Sequence, residues 1–173
     1  VGPGGLNVHA NGNLIINSGS EIVTGPVTSE GNLIFQVGTL AGVWTSTSRG
    51  TAYFGGGGQK NLYMAQVKVQ GAIEAEGIIA LNTSSQMELT GTMSIGGLGL
   101  QIQQVDHSKG CVFNAAQGTV DLKAGQLAFQ APAFVGPFSM ATGTNVSVFS
   151  PVVFTKTVSV PKMGNFATLG NAN

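Results

Sequence analysis

Charged side chains are scarce in this chain of 173 residues. Seven Lys or Arg and seven Asp or Glu make up 8% of the sequence and give a net charge of zero, whereas about 25% of an ordinary soluble domain is charged. Nucleic-acid binding draws its non-specific affinity from Lys and Arg, and Arg49 is the only arginine. We therefore expect no direct nucleic-acid partner. A neutral chain also lacks the repulsion that keeps copies apart, which favours association.

Cysteine and histidine are almost absent as well. Cys111 is the only cysteine, which excludes an internal disulfide. We expect it to be a small buried side chain, with an intermolecular disulfide as the alternative. The histidines are His9 and His107, too few for a structural zinc site of about four Cys or His ligands. The acids form no Asp-rich loop for calcium, so the sequence predicts no metal site and no cofactor.

Long apolar runs are also missing. No stretch approaches the roughly 18 consecutive apolar residues of a membrane-spanning helix, so we expect no transmembrane segment. The chain does not open with a basic segment followed by an apolar one, which predicts no signal peptide in the sequence as it stands. The start at Val1 fits both removal of an initiator Met and cleavage of a leader.

Helical periodicity is nearly absent, and the 27 glycines would weaken any helix. An alternation with a period of two residues recurs instead and predicts β-strands. It is clearest over Met87–Ile95 and Leu98–Gln104, and Gly96-Gly97 between these runs predicts a hairpin turn. Further buried rows are predicted at Ile73, Ala75, Ile79 and Leu81; at Tyr63, Ala65, Val67 and Val69; at Leu127, Phe129 and Ala131; and at Phe154, Val158 and Val160.

The turn signals decide the predicted arrangement of the strands. Asn11-Gly12 predicts a hairpin between Leu6–Ala10 and Asn13–Asn17, because both turn residues accept positive φ. The motif Gly-Asn-Leu-Ile occurs at Gly12–Ile15 and at Gly31–Ile34, but two copies do not establish the sustained period of a solenoid. The predicted fold is all-β, a single-domain β-sandwich or jelly roll of antiparallel strands, with a β-solenoid as the alternative.

No shift in composition marks a domain boundary. We therefore expect one all-β domain over residues 1–173, with candidate flexible arms at 1–8 and 164–173. The longest stretches that resemble loops are Arg49–Lys60 and Pro132–Gly143.

Two strings have an enzyme-like composition. Asp106-His107-Ser108 contains the residue types of a catalytic triad, but neighbours on an extended chain point to opposite faces, so we expect a polar turn. Glu74 and Glu76 would share one face of a strand at about 7 Å. Paired carboxylates at such a spacing catalyse glycoside hydrolysis, but two solvated side chains have the same pattern. The sequence therefore predicts no catalytic residue and no enzyme.

The remaining motifs point to binding or to no function. Gly55–Gly58 followed by Gln59-Lys60 departs from a phosphate-binding loop, because Asn61 stands where Ser or Thr should follow the lysine. Asn82 and Asn145 lie in glycosylation sequons, which the Asn, Ser and Thr content explains by chance. Four aromatic residues are candidates for a sugar platform, which keeps a carbohydrate-binding, adhesin-like module as an alternative function. They are Trp44, Tyr53, Phe54 and Tyr63.

Together these features favour a structural subunit that packs against copies of itself. Surfaces of Ser, Thr, Gln and Gly cost less to desolvate than charged ones, so neutral sheets can meet over large areas. One alternative is an extracellular filament or pilus subunit in which a strand of one copy completes the sheet of the next. Leu6–Asn17 and Val152–Val160 are the candidate donors.

In its length, in the alternating runs Met87–Ile95 and Leu98–Gln104, and in the absence of an obvious leader, the chain resembles the small single-jelly-roll major capsid proteins of membrane-containing icosahedral viruses. The resemblance implies a jelly roll, a capsid function and a location in the virion. It also implies copies of the chain and a second structural protein as partners. The filament alternative implies an extracellular or cell-surface location.

Overall fold

A computed structural model describes residues 5–23, 26–105 and 110–169, the side chains of 19–23 excepted. Within those residues the chain forms seventeen strands and no helix, which confirms the all-β class. The strands are β1 (Leu6–Val8), β2 (Asn13–Val23), β3 (Val27–Ser29), β4 (Asn32–Ser46), β5 (Thr51–Phe54), β6 (Gln59–Val69), β7 (Ala72–Asn82), β8 (Gln86–Leu89), β9 (Thr92–Gln104), β10 (Val112–Ala115), β11 (Thr119–Leu122), β12 (Gln126–Gln130), β13 (Ala133–Val135), β14 (Phe138–Met140), β15 (Asn145–Val148), β16 (Val152–Phe154) and β17 (Asn165–Thr168).

The strand pairings in the described residues are parallel, from the first pair, β1 with β3, to the last, β15 with β17. Each strand pairs with the strand that lies one turn of the coil later, so the chain winds as a β-solenoid. The predicted antiparallel sandwich or jelly roll was therefore wrong, and the alternative fold is the observed one. The alternation of apolar and polar residues is the same in a jelly roll and in a solenoid, because the strands of both folds have one face in the core and one face in solvent.

Three parallel ladders form the faces of the solenoid, and we call them A, B and C. Face A contains β1, β3, the ends of β4 and β6, and then β8, β10, β13 and β16. Face B contains the starts of β2, β4, β7 and β9 together with β5, β11 and β14. Face C contains the end of β2, the middle of β4, the start of β6, the ends of β7 and β9, and then β12, β15 and β17.

Columns of apolar side chains fill the interior, because residues in register on successive turns point the same way. Aromatic rings pack against one another between these columns. The ring centroids of Phe35 and Phe54 are 5.4 Å apart, and that of Phe129 is 6.5 Å from that of Phe113 and 6.3 Å from that of Phe154. Two predicted buried rows are confirmed in full, with every side chain at most 1% exposed. They are Ile73, Ala75, Ile79 and Leu81, and Leu127, Phe129 and Ala131.

A column of glycines forms the corner between faces A and B. The column is tight: a Cβ built on Gly91 would lie 1.8 Å from the carbonyl oxygen of Gly71, and one built on Gly71 would lie 2.2 Å from that of Gly50. Amides of the following strands donate to these carbonyls, as Thr119 does to Gly91 at 2.9 Å. Glycine at this corner lets successive turns approach closely. The column contains Gly12, Gly31, Gly50, Gly71, Gly91, Gly118 and Gly136.

Both predicted hairpins are in fact corners of the solenoid. At Asn11-Gly12 the chain turns from face A to face B, with the Gly12 amide donating to the His9 carbonyl, and β1 and β2 pair with β3 and β4 rather than with each other. At Gly96-Gly97 strand β9 passes from face B to face C without reversing. A turn that closes a hairpin and a turn that bends a coil use the same residues.

Local irregularities account for the buried rows that were only partly right. Met64 has a φ of 47°, so the alternation changes phase there: Ala65, Val67 and Val69 are buried, whereas Tyr63 is 45% exposed. In the run after Gly97, Leu100 and Ile102 are buried but Leu98 is exposed. Of the last predicted row, Phe154 and Val158 pack against the core and Val160 is exposed.

Segments expected to be irregular contain short strands. Arg49–Lys60 includes β5 and the start of β6, and Pro132–Gly143 includes β13 and β14. Parts of both expected arms are paired strands, Leu6–Val8 at one end and Asn165–Thr168 at the other. A solenoid tolerates Gly and Pro between strands of three or four residues because each strand is held by its neighbours on adjacent turns.

Candidate functional site

A cleft of about 220 Å³ opens on the outer side of face B. Tyr53, Glu74 and Ser94 form one outward column, since they are direct partners on β5, β7 and β9. Glu76 and Lys123 lie at the corner between faces B and C and complete the polar lining. Gly96 completes the lining together with Ala75 and Ile95, whose side chains point into the core and are fully buried. The cleft therefore gathers one aromatic ring, two carboxylates, one hydroxyl and one amine.

Glu74 and Glu76 line the same cleft, as their spacing on one face of a strand predicted. Glu74 is exposed and Glu76 is half-buried. The Glu76 carboxylate lies over the backbone of Gly96, where a Cβ would come within 2.2 Å of Oε1. Farther along the column the Ser139 hydroxyl donates to the Asp121 carboxylate at 2.7 Å. The sequence pattern predicts the two glutamates but not Ser94 and Lys123, because only the parallel register of successive turns brings these residues alongside them.

Lys60 lies at the start of β6, directly after the glycine-rich loop, and points into the solenoid. Its side chain is fully buried, and its Nζ donates to the carbonyls of Gly56 at 3.1 Å, Gly58 at 2.8 Å and Glu76 at 2.9 Å. Burial lowers the pKa of this amine from 10.5 to about 8, and the Glu76 carboxylate acts in the opposite direction by raising the pKa. The lysine thus fastens the preceding glycine loop to β7, the strand that carries Glu74 and Glu76, and is not available to a phosphate.

We expect the free energy of unfolding to rise with pH between about 8 and 10.5 because of Lys60. Its pKa is lower in the folded than in the unfolded chain, so the unfolded chain binds more protons in this window and stability increases as the pH rises. The difference between 10.5 and about 8 corresponds to at most about 3 kcal/mol. Urea unfolding at pH 8 and at pH 10.5 measures this increase in the free energy of unfolding.

We expect the increase to disappear in Lys60→Met and to remain in Lys68→Met, the control at an exposed site. An unchanged increase in Lys60→Met would contradict its assignment to Lys60.

The other candidate chemical groups do not converge. Cys111 is a fully buried thiol, and His9 lies exposed at the corner between faces A and B. Asp106-His107-Ser108 lies outside the described residues. In the part of the chain that is described, no group of three or more His, Cys, Asp or Glu could hold a metal ion. Nor does any helix there have the length and apolarity needed to cross a membrane.

The four aromatic residues considered for a sugar platform separate in the structure. Trp44 and Phe54 are buried, and the Trp44 indole donates to the Ala41 carbonyl at 2.9 Å. Tyr53 lines the cleft on face B, whereas Tyr63 is exposed on face C. Tyr53 therefore lies in a cleft beside Glu74, whereas Tyr63 lies beside Asn82 on an open face. Of the two sequon asparagines, Asn82 is half-buried and Asn145 is exposed.

Face C carries no charged side chain on its outer surface among the described residues. Among the described side chains of its strands Lys60 is the charged one, and it points inward. The other faces differ: face A has Lys68 and Glu88, paired at 3.3 Å, and face B has Glu74 and Asp121. By register, the outward-pointing residues of face C are Thr39 and Ala41; Gln59, Asn61 and Tyr63; Ile78, Ala80 and Asn82; Gln101 and Gln103; Gln126, Ala128 and Gln130; Asn145 and Ser147; and Asn165 and Ala167. Of these, Ala80 and Ala128 are buried within the single chain.

Comparison with protein-family models, with curated proteins and with solved structures finds no match for this chain. Its function is therefore inferred from its own geometry. Two surfaces stand out in that geometry, the cleft on face B and the uncharged face C.

Proposed function

We propose that this chain is a structural subunit that assembles with copies of itself, and that face C is the surface through which two copies meet. The observation that supports the proposal is that the described side chains on the outer side of face C, from β4 to β17, carry no charge: amides, hydroxyls and small apolar groups lie there in register over successive strands.

The energetic argument concerns desolvation. Burying an unpaired charge is far more costly than burying an amide or hydroxyl that finds a hydrogen-bond partner. On face C the amides of Gln103 and Gln130 are direct neighbours and can donate to and accept from a facing copy. Two such surfaces can therefore meet without leaving a charge buried and unpaired.

The dimensions of face C suit a modest but specific interface. Strands about 4.8 Å apart with about 3.3 Å per residue make the strip from β4 to β17 about 30 Å long and about 15 Å wide. Two copies then bury on the order of 1,000 Å² in total, which is the lower limit for a stable protein interface.

Growth beyond a pair of copies needs a second contact. A two-fold contact through face C alone closes at a dimer, because both copies use the same surface. Phe134 and Val153 are direct neighbours on face A and are 41% and 50% exposed. Burying these two adjacent apolar side chains against another copy is favourable, and we assign the second contact to this pair.

A capsid shell in the virion and an extracellular filament are the two forms that this assembly could take. The jelly roll implied by the resemblance to capsid proteins is not the observed fold. Both segments considered as strand donors pair within their own chain, β1 and β2 with β3 and β4, and β16 with β13. The arrangement of parallel ladders along one axis favours a filament of packed solenoids, without strand exchange.

Sedimentation velocity over a concentration series, followed by negative-stain microscopy, tests the proposal. We expect the wild-type chain to form dimers and larger particles at micromolar concentrations. In Phe134→Ser with Val153→Ser we expect growth to stop at dimers, because face C is intact in that variant. A wild-type chain that stays monomeric at millimolar concentration would exclude assembly as its function.

A further inference from the structure

We propose that the cleft on face B is a binding site for an uncharged oligosaccharide. This inference does not depend on face C or on self-assembly, because the cleft is complete within one chain. Its lining combines an aromatic ring with hydrogen-bond donors and acceptors, the kinds of group that orient a ligand in a small-molecule site.

The aromatic component is Tyr53. A Cβ built on Gly55 would lie 2.0 Å from Cζ of the tyrosine ring, so the absence of a side chain at Gly55 lets the ring lie close to the backbone. The ring is half-buried, and packing against Gly55 limits its motion. A rigid, partly exposed ring is a large amphipathic contact surface with a small entropic cost, and the apolar C–H face of a sugar ring can lie against it.

The polar components match sugar hydroxyl groups. The carboxylates of Glu74 and Glu76 accept hydrogen bonds, the Lys123 amine donates them, and the Ser94 hydroxyl does both. Glu74 lies in register between Tyr53 and Ser94, so carboxylate and hydroxyl are next to the ring along the solenoid axis. Hydrogen bonds to charged groups are about twice as strong as those between neutral groups, which favours a ligand with several hydroxyls.

The balance of charge selects among sugars. Two carboxylates and one amine line the cleft, which leaves an excess of negative charge when the lysine is protonated. A uronic acid or sulfated sugar would place a further anion beside Glu74 and Glu76, and like charges at close range cost free energy. The site is therefore suited to uncharged oligosaccharides. Its volume of about 220 Å³ is below that of drug-sized pockets, so it would hold one ring of a longer chain.

Isothermal titration calorimetry with defined hexasaccharides tests the site in the intact chain. The probes are cellohexaose, xylohexaose, mannohexaose and laminarihexaose, with hexagalacturonate as the anionic counterpart. We expect at least one uncharged hexasaccharide to bind with a Kd on the order of 0.1 to 1 mM, a range typical of a few contacts on an open surface. Hexagalacturonate should bind at least about tenfold more weakly.

Variants then locate the binding. Tyr53→Ala should weaken it at least about tenfold, and Glu74→Gln should weaken it less because one acceptor remains. Tyr63→Ala is the matched control, since the other tyrosine is on face C, and it should bind as the wild type does. Lys123→Met serves as a second cleft variant if thermal melting shows that Tyr53→Ala is unfolded.

Three outcomes would overturn the inference. They are no heat of binding from any uncharged probe at 10 mM, tighter binding of hexagalacturonate than of the uncharged probes, and equal loss of affinity in Tyr63→Ala and in the cleft variants. None of these outcomes bears on assembly through face C, which sedimentation measures separately.

Discussion

Gly91→Ala is expected to lower the free energy of unfolding by on the order of 4 kcal/mol, one of the largest effects that a single methyl group can have. The added Cβ would lie 1.8 Å from the Gly71 carbonyl oxygen and 2.6 Å from that of Gln70. The backbone cannot move away without loss, because the Gly91 carbonyl accepts from the Thr119 amide at 2.9 Å on the next turn. Urea denaturation followed by circular dichroism measures the change.

Gly97→Ala is the control for Gly91→Ala. A Cβ at Gly97 would meet no atom within 4 Å, and we expect a change within about 0.5 kcal/mol. Neither glycine has a positive φ, so the comparison isolates the close approach of successive turns from any backbone preference. Equal stability of the two variants would mean that the glycine column does not pack as described.

Gln103→Glu combined with Gln130→Glu is expected to weaken assembly at least 100-fold. The two residues are direct neighbours on β9 and β12, so the double variant places two carboxylates at the centre of face C. Bringing two copies together would then bury four carboxylates without counter-ions, and like charges in contact cost several kcal/mol. Sedimentation equilibrium in buffer of low ionic strength measures the dissociation constant.

Gln66→Glu combined with Gln86→Glu is the matched control for that variant. These glutamines are also direct neighbours, but they lie on β6 and β8 of face A, away from the second contact on β13 and β16, and both are exposed. Any general effect of extra negative charge or of like charges between neighbouring strands is the same in the two variants. Assembly that is weakened equally in both would show that face C has no special part in it.

The sequence predicted which residues are buried better than it predicted how the strands are arranged. The row Ile73, Ala75, Ile79 and Leu81 is buried as expected, because burial on one face follows directly from alternation. Alternation does not distinguish parallel from antiparallel pairing. The phase change at Met64, with its φ of 47°, has no signature in the pattern of apolar residues either.

The spacing of five glycines along the sequence matches the length of one turn of the solenoid. Gly12, Gly31, Gly50, Gly71 and Gly91 follow one another at intervals of 19, 19, 21 and 20 residues, and they stack at one corner. Two features make this period hard to recognise in the sequence. The chain has 27 glycines, and the spacing between glycines of the column changes beyond Gly91. The repeated Gly-Asn-Leu-Ile was a true sign of the fold, since Asn13, Leu14 and Ile15 are in register with the corresponding residues of the second copy.

The residues of the cleft that lie on one strand could be predicted from the sequence, and those that lie on other turns could not. Glu74 and Glu76 are close in sequence, so the geometry of one strand places them on one side. Tyr53, Glu74 and Ser94 are separated by 21 and 20 residues, and only the stacking of successive turns brings them together. The outer surface of face C could not be predicted either, because its residues are far apart in sequence and only the pairing of the strands brings them together.

The two tyrosines provide the most direct test of packing through face C. Tyr63 is on face C and is 45% exposed in the single chain, whereas Tyr53 is on face B. Hydroxyl-radical footprinting with mass spectrometry, over a dilution series that spans assembly, reports the accessibility of both side chains. We expect the modification rate of Tyr63 to fall several-fold as the chain assembles while that of Tyr53 stays constant. An unchanged rate at Tyr63 in samples that sedimentation shows to be assembled, or protection of Tyr53 instead, would contradict the assignment of face C as the interface.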